Sequence, residues 1–113
     1  MTFQVDTVFV WVTDLERSIG WYSRLGIEPE ARYGGWQPMK LEGETQFALH
    51  EGKRATSPST GAVAFRVADL DAEIERLGSL GIEPSDHETT DTGHDRFTTF
   101  QDPDGNDVQL LER

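Results

Sequence analysis

Apolar and polar positions change period along this chain at regular places, and the same changes occur twice. Val8, Val10 and Val12 alternate with Thr7, Phe9 and Trp11, the period of a strand with two distinct faces. Asp14 then stands at a helix N-cap position, where a carboxylate accepts orphan backbone N–H groups. Ile19, Tyr22 and Leu25 follow at helical spacing, which predicts a helix from about Leu15 to Leu25 with these residues inward. Gly26 suits the left-handed residue that ends a helix, and Pro29 prevents the chain from re-entering it. Val63, Phe65 and Val67 likewise alternate with Ala62, Ala64 and Arg66, and Asp69 takes the N-cap position. The second helix is predicted from about Leu70 to Leu80, with Ile74, Leu77 and Leu80 inward and Gly81 and Pro84 ending it.

Strand-like pieces follow each helix. In the first half they are about Glu30–Tyr33, Gln37–Leu41 and Gln46–His50, with a turn at Glu42-Gly43-Glu44. In the second half they are about Ser85–Glu88, Arg96–Gln101 and Asp107–Leu111, the last two joined by Asp102-Pro103-Asp104-Gly105-Asn106, a strong turn signal. Lys53 to Gly61, rich in Ser, Thr and Pro, reads as a linker, and Thr89 to His94 as a mobile polar loop. The pattern is βαβββ twice, an α+β chain.

The duplication is written in the residues themselves. Shifted by 55 positions, the halves align without a gap for 23 residues: TVFVWVTDLERSIGWYSRLGIEP from Thr7 against AVAFRVADLDAEIERLGSLGIEP from Ala62. Leu25-Gly26-Ile27-Glu28-Pro29 and Leu80-Gly81-Ile82-Glu83-Pro84 are identical in type. Two copies of one supersecondary unit, each too small to bury its apolar face alone, are expected to stack. One domain over 1–113 is expected, with modules at about 3–52 and 62–113 and the linker at about 53–61.

Composition narrows the function classes. The chain has 113 residues, 27% charged and 35% hydrophobic, in the range of globular proteins. Its 10 basic and 21 acidic side chains give a net charge of -11 at pH 7. Such a surface repels phosphate backbones, so no nucleic-acid partner is expected; it attracts cations, although acidity also serves solubility alone. With no cysteine, disulfides, thiolate nucleophiles and zinc–thiolate sites are excluded. No apolar run suits a membrane span and the N-terminus lacks a signal-peptide pattern, so no membrane partner and a cytoplasmic location are expected. No Gly-rich phosphate loop or nucleotide fingerprint is present.

A strand running into V-x-D-L, a helix and L-G-I, present twice, and finally D-P-D-G-N before a short strand, resembles the vicinal oxygen chelate superfamily, which includes glyoxalase I, extradiol dioxygenases and bleomycin-resistance proteins. The resemblance covers nearly the whole chain. It implies that the two βαβββ modules form a curved, incomplete barrel whose hollow holds the ligand, and that the chain forms a homodimer. Catalytic relatives bind a divalent metal through two positions per module, one on the first strand and one on the last. Counted from the V-x-D-L and D-P-D-G anchors, these positions fall on Thr7, Ala48, Ala62 and Gln109. Alanine has no donor, threonine is a poor neutral ligand, and Gln109 offers one carbonyl oxygen, short of what such a metal requires. No metal and no cofactor are therefore expected, and no catalytic residue is assigned. Displaced ligands at His50, His94, Asp6 or Glu51 are the alternative, but strand parity puts Asp6 and Glu51 on the face opposite Thr7 and His50.

The faces opposite the helix-packing residues give the candidate lining: Thr7, Phe9, Trp11, Gln46, Ala48, His50, Ala62, Ala64, Arg66, Gln109 and Leu111. Small, aromatic and few polar groups suit an organic ligand. Trp11 offers a flat surface for stacking or for a cation. Arg66 suits a ligand carboxylate or a structural ion pair. His50 is either a ligand-contacting or acid–base group or a partly exposed strand histidine; His87 and His94 read as solvated. Trp36, beside Gly34-Gly35, is placed on a loop near the cavity mouth or in a dimer interface. Trp21 lies on the first helix, at its surface or in an interface. The leading reading is metal-free binding of a small hydrophobic or cationic organic molecule, of the resistance or sequestration type. The alternatives are a lyase, isomerase or dioxygenase with displaced metal ligands or metal-free acid–base chemistry, and a partner-binding module with a filled hollow.

Overall fold

The computed structural model describes residues 5–52, 62–84, 88–89 and 96–112. Strand β1 (Thr7–Val12) leads into helix α1 (Leu15–Leu25), then β2 (Trp36–Met39) and β3 (Gln46–Glu51). The second module repeats this as β4 (Ala62–Val67), α2 (Leu70–Ser79), β5 (Glu88–Thr89), β6 (Arg96–Gln101) and β7 (Asp107–Glu112). The linker at 53–61 and the polar loop around His94, together with Ser85 to His87, lie outside the described residues.

Two open sheets result, ordered β1-β3-β2 and β4-β7-β6-β5. In each, the first strand runs parallel to the last and the remaining neighbours are antiparallel. A parallel neighbour requires a crossover, and the module's helix supplies it. The α+β class and the paired-module, incomplete-barrel architecture expected from the sequence are what the chain adopts.

Both helices start as the sequence dictates. Asp14 accepts the Arg17 N–H and Asp69 accepts the Ala72 N–H, each at 3.1 Å. Each helix also receives a second carboxylate from the last strand of its own module. Glu51 accepts the Leu15 N–H at 3.0 Å and Glu112 the Leu70 N–H at 2.7 Å, where the helix dipole favours negative charge. Gly26 ends α1 at φ 116°. At the other ends the modules cap one another: Arg24 donates to the Leu80 carbonyl and Arg76 to the Leu25 carbonyl, both at 2.7 Å.

The core lies between the helices and the helix-facing strand sides. Val10, Val12, Leu15, Tyr22, Phe47, Leu49, Leu77, Phe100, Val108 and Leu110 are buried together. The Asp102–Asn106 turn joins the modules from the side. Asp102 accepts the backbone N–H groups of Asp104 and Asn106, the Asn106 amide and the Tyr22 hydroxyl. Asp104 accepts the Thr13 hydroxyl at 2.6 Å and pairs with Arg17 at 3.2 Å.

The first module departs from the expected pattern after α1. Glu30 to Tyr33 does not form a strand; only isolated bridges, Pro29 with Met39 and Tyr33 with Trp36, mark its path. Its backbone pairs only at the two ends: the Glu30 N–H donates to the Pro38 carbonyl and Tyr33 exchanges two bonds with Trp36, each at 2.9 Å. The Glu30 carbonyl is taken by the Gln37 side chain at 2.7 Å. The next strand begins at Trp36 and ends at Met39, so Trp36 stands on β2 rather than on a loop.

Candidate functional site

On the face of the first sheet away from the helices, strand parity and register assemble an aromatic cluster. Phe9 and Trp11 project from β1 on the same side. Trp11 is opposite His50 on β3, and His50 is opposite Trp36 on β2, so Trp11, His50 and Trp36 form one row across three strands. His50 stacks on Trp11 with centroids 4.3 Å apart and planes at 20°. Trp36 meets His50 edge-on at 5.2 Å, and Phe9 contacts Trp11, Trp36 and His50 at 5.7, 5.3 and 5.7 Å. Edge-to-face and offset contacts at these distances are attractive. Phe9 remains 43% exposed, so the cluster presents an open apolar surface.

Two neighbours that carry no ring hold the cluster in place. A Cβ at Gly52 would lie 2.7 Å from Trp11 Cζ3 and 2.8 Å from Cε3, so only glycine lets the indole lie there. The Asn106 amide, from the turn of the second module, donates to the Trp11 carbonyl at 3.1 Å. Neither is visible to periodicity. Gly52 is one glycine among eleven, and Asn106 reads as a turn residue.

The remaining candidate residues are distributed elsewhere. Ala62, Ala64 and Arg66 lie on β4, with Gln109 and Leu111 opposite Ala64 and Arg66 on β7. By the repeat, Arg66, Leu111 and Phe97 make the row equivalent to Trp11, His50 and Trp36. The sequence-based lining therefore falls on two sheets, and the structure brings together Phe9, Trp11, Trp36 and His50. Ala48 is 1% exposed; it supplies the floor of the first face. Ala64 and Arg66 also border a cleft of about 1090 Å³ between β4 and the segments around Ile27, Leu41 and Phe47. Its apolar walls, including Val8, Phe47, Val63, Phe65 and Leu110, are core-side residues. Arg76 at its rim is committed to Leu25 and Glu73. The lining of this cleft also includes Lys40, Glu42, Gln46 and Arg66.

The donor set does not fit a divalent metal. The Thr7 hydroxyl donates to Asp6 at 2.6 Å, and the Gln109 amide donates to Thr99 at 3.3 Å. Ala48 and Ala62 carry no donor. Glu51 is engaged at the α1 N-terminus. Among the described residues no three His, Asp or Glu side chains are grouped as an ion would need. His87 and His94 lie outside those residues.

Comparison with known proteins places the chain. The fold matches an integron cassette protein from the mobile metagenome of the Halifax Harbour sewage outfall (TM-score 0.83, 22% identity, 97% of this chain and 98% of that one). It matches TnmS3, an antibiotic binding protein from Streptomyces sp. CB03234 (TM-score 0.82, 25% identity, 98% and 96%). It also matches a bleomycin-binding protein solved with bleomycin (TM-score 0.80, 21% identity, 99% and 99%). No curated protein matches the chain in sequence. The sequence profile of one family matches residues 4–110, nearly the whole length. The chain belongs to the Glyoxalase/Bleomycin resistance protein/Dioxygenase superfamily.

Proposed function

We propose that this protein binds a small aromatic, hydrophobic or cationic organic molecule on the Phe9–Trp11–Trp36–His50 face, without a metal, in the manner of antibiotic-sequestering relatives. The clustering of those four rings on one open face carries the reading. Flat apolar surfaces stack on planar ligands, and indole faces attract cations. The net charge of -11 draws cations toward the protein at long range. TnmS3 and the bleomycin-binding protein bind antibiotics on the same fold, which makes antibiotics the first ligands to try.

The same reading takes the protein as a cytoplasmic homodimer, with the Ala62, Ala64, Arg66 and Gln109 face of a second copy closing over the aromatic face. In support, each face is open in the single chain, with Phe9, Ala62, Ala64 and Arg66 exposed. Among the described residues no helix is long and apolar enough to cross a membrane. Titration with bleomycin and a panel of cationic aromatic antibiotics, read by tryptophan fluorescence, tests the reading. Saturable quenching or enhancement is expected, lost in Trp36→Ala. No response to any member rejects it.

A further inference from the structure

His50 has a feature that stacking alone does not use. Its Nδ1 is buried with no hydrogen-bond partner, while the residue as a whole is partly exposed. The packing fixes the plane of the ring. Trp11 covers one face at 4.3 Å, Trp36 and Phe9 abut it at 5.2 and 5.7 Å, and Trp11 is itself held over Gly52. A neutral imidazole carries its proton on one nitrogen and a lone pair on the other. Among buried backbone groups an orphan N–H is rarer than an under-satisfied acceptor, and the same preference is applied here to the imidazole. The partner each nitrogen lacks or has sets the tautomer. Here the buried Nδ1 takes the lone pair, and Nε2 carries the hydrogen.

We infer that His50 presents Nε2–H as a fixed hydrogen-bond donor inside the aromatic face, so that this site selects planar ligands bearing an acceptor, a ring nitrogen or a carbonyl, over isosteres without one. The inference rests on the ligand-binding reading above but narrows it. Rings supply affinity for any flat apolar molecule, whereas a single oriented donor in an otherwise apolar surround discriminates by leaving an unmatched ligand with the donor unpaired. It also sets a direction. An acceptor bonded to Nε2 lies in the imidazole plane, which stands at 20° to the Trp11 indole.

Two measurements on the intact protein test this. The first needs no ligand: nitrogen-15 spectra of histidine-labelled protein at mildly alkaline pH, with the His50 signals identified by their loss in His50→Phe. An Nε2–H pattern is expected; an Nδ1–H pattern, or an even mixture, overturns the inference. The second compares quinoline with naphthalene, equal in shape but differing in one acceptor nitrogen, by tryptophan fluorescence. Quinoline is expected to bind about five- to tenfold more tightly, the worth of one neutral hydrogen bond, and the ratio of the two affinities is expected to fall to about one in His50→Phe, whatever the change in either affinity alone. Equal binding of both probes to the wild-type protein overturns the donor's role. Binding of neither sinks the ligand-site reading, and the donor's role with it, whatever tautomer the spectra show.

Discussion

The phenolic hydroxyl of Tyr22 donates to Asp102 Oδ2 at 2.8 Å, both groups being buried. Tyr22 belongs to α1 of the first module and Asp102 to the turn between β6 and β7 of the second, 80 residues later. Burial first, and then the Asp102 carboxylate, push the Tyr22 phenol well above its ordinary value of 10.0. The folded chain therefore keeps a proton that the unfolded chain releases above about pH 10. Stability falls with rising pH wherever the unfolded state binds fewer protons, so this contribution is present below that pH and is lost progressively above it. Urea unfolding as a function of pH is expected to show an alkaline decline that is shallower in Tyr22→Phe, whose loss at neutral pH is about 2 kcal/mol.

Asp102 is the larger target in the same contact. It satisfies four donors: the Tyr22 hydroxyl, the Asp104 and Asn106 N–H groups and the Asn106 amide. Asp102→Ala orphans all of them, and a destabilisation of about 3 kcal/mol or more is expected in chemical denaturation. A value near zero would show that the turn is not what joins the modules.

The carboxylates at the helix starts predict a symmetric pair of effects. Glu51→Ala and Glu112→Ala each remove an acceptor from the first N–H of a helix, and each is expected to cost about 1 kcal/mol. The sites cap different helices, so the double variant is expected to lose the sum of the single losses. Thermal melts of the three variants check this, and strong non-additivity would contradict independent capping.

Gly52→Ala is a probe of the aromatic face that leaves its four rings unsubstituted. Its Cβ would come within 2.7 Å of the Trp11 indole, so the indole has to move and the stack on His50 with it. Overpacking of this kind costs about 1–3 kcal/mol. A changed tryptophan emission and weakened ligand response are expected in a still-folded protein; unchanged spectra and binding would show that Trp11 is not constrained as described.

Metal removal gives the opposite kind of prediction. Dialysis against a chelator is expected to leave the melting temperature and ligand response unchanged, because the donor set around Thr7, Ala48, Ala62 and Gln109 cannot hold an ion. A stoichiometric Ni, Zn, Mn or Fe in protein purified without chelators, or a lowered melt after dialysis, would point instead to displaced ligands and metal-dependent chemistry.

Much of this was legible in the residues and some was not. Parity along one strand places Phe9 with Trp11, and parity along another places Ala48 with His50, because alternation is a property of a single extended segment. Gly34-Gly35 before Trp36 suggests a loop at the cavity mouth or packing in a dimer interface; its place beside His50 follows from the β2–β3 register, which no local pattern encodes. Glu51 was weighed as a displaced ligand, and its engagement at Leu15 depends on a helix 36 residues earlier. Parity likewise gave a single list of lining residues without saying that they divide between two sheets.

By itself the sequence determined the duplicated module with its caps and turns, since periodicity and capping act within a few residues. Tertiary structure decided which rings meet, which nitrogen of His50 is buried, and how the Asp102 turn grips Tyr22 and the backbone of Trp11. These depend on contacts between segments tens of residues apart. Such contacts form only when the whole core closes, and side-chain spacing along the chain does not record them.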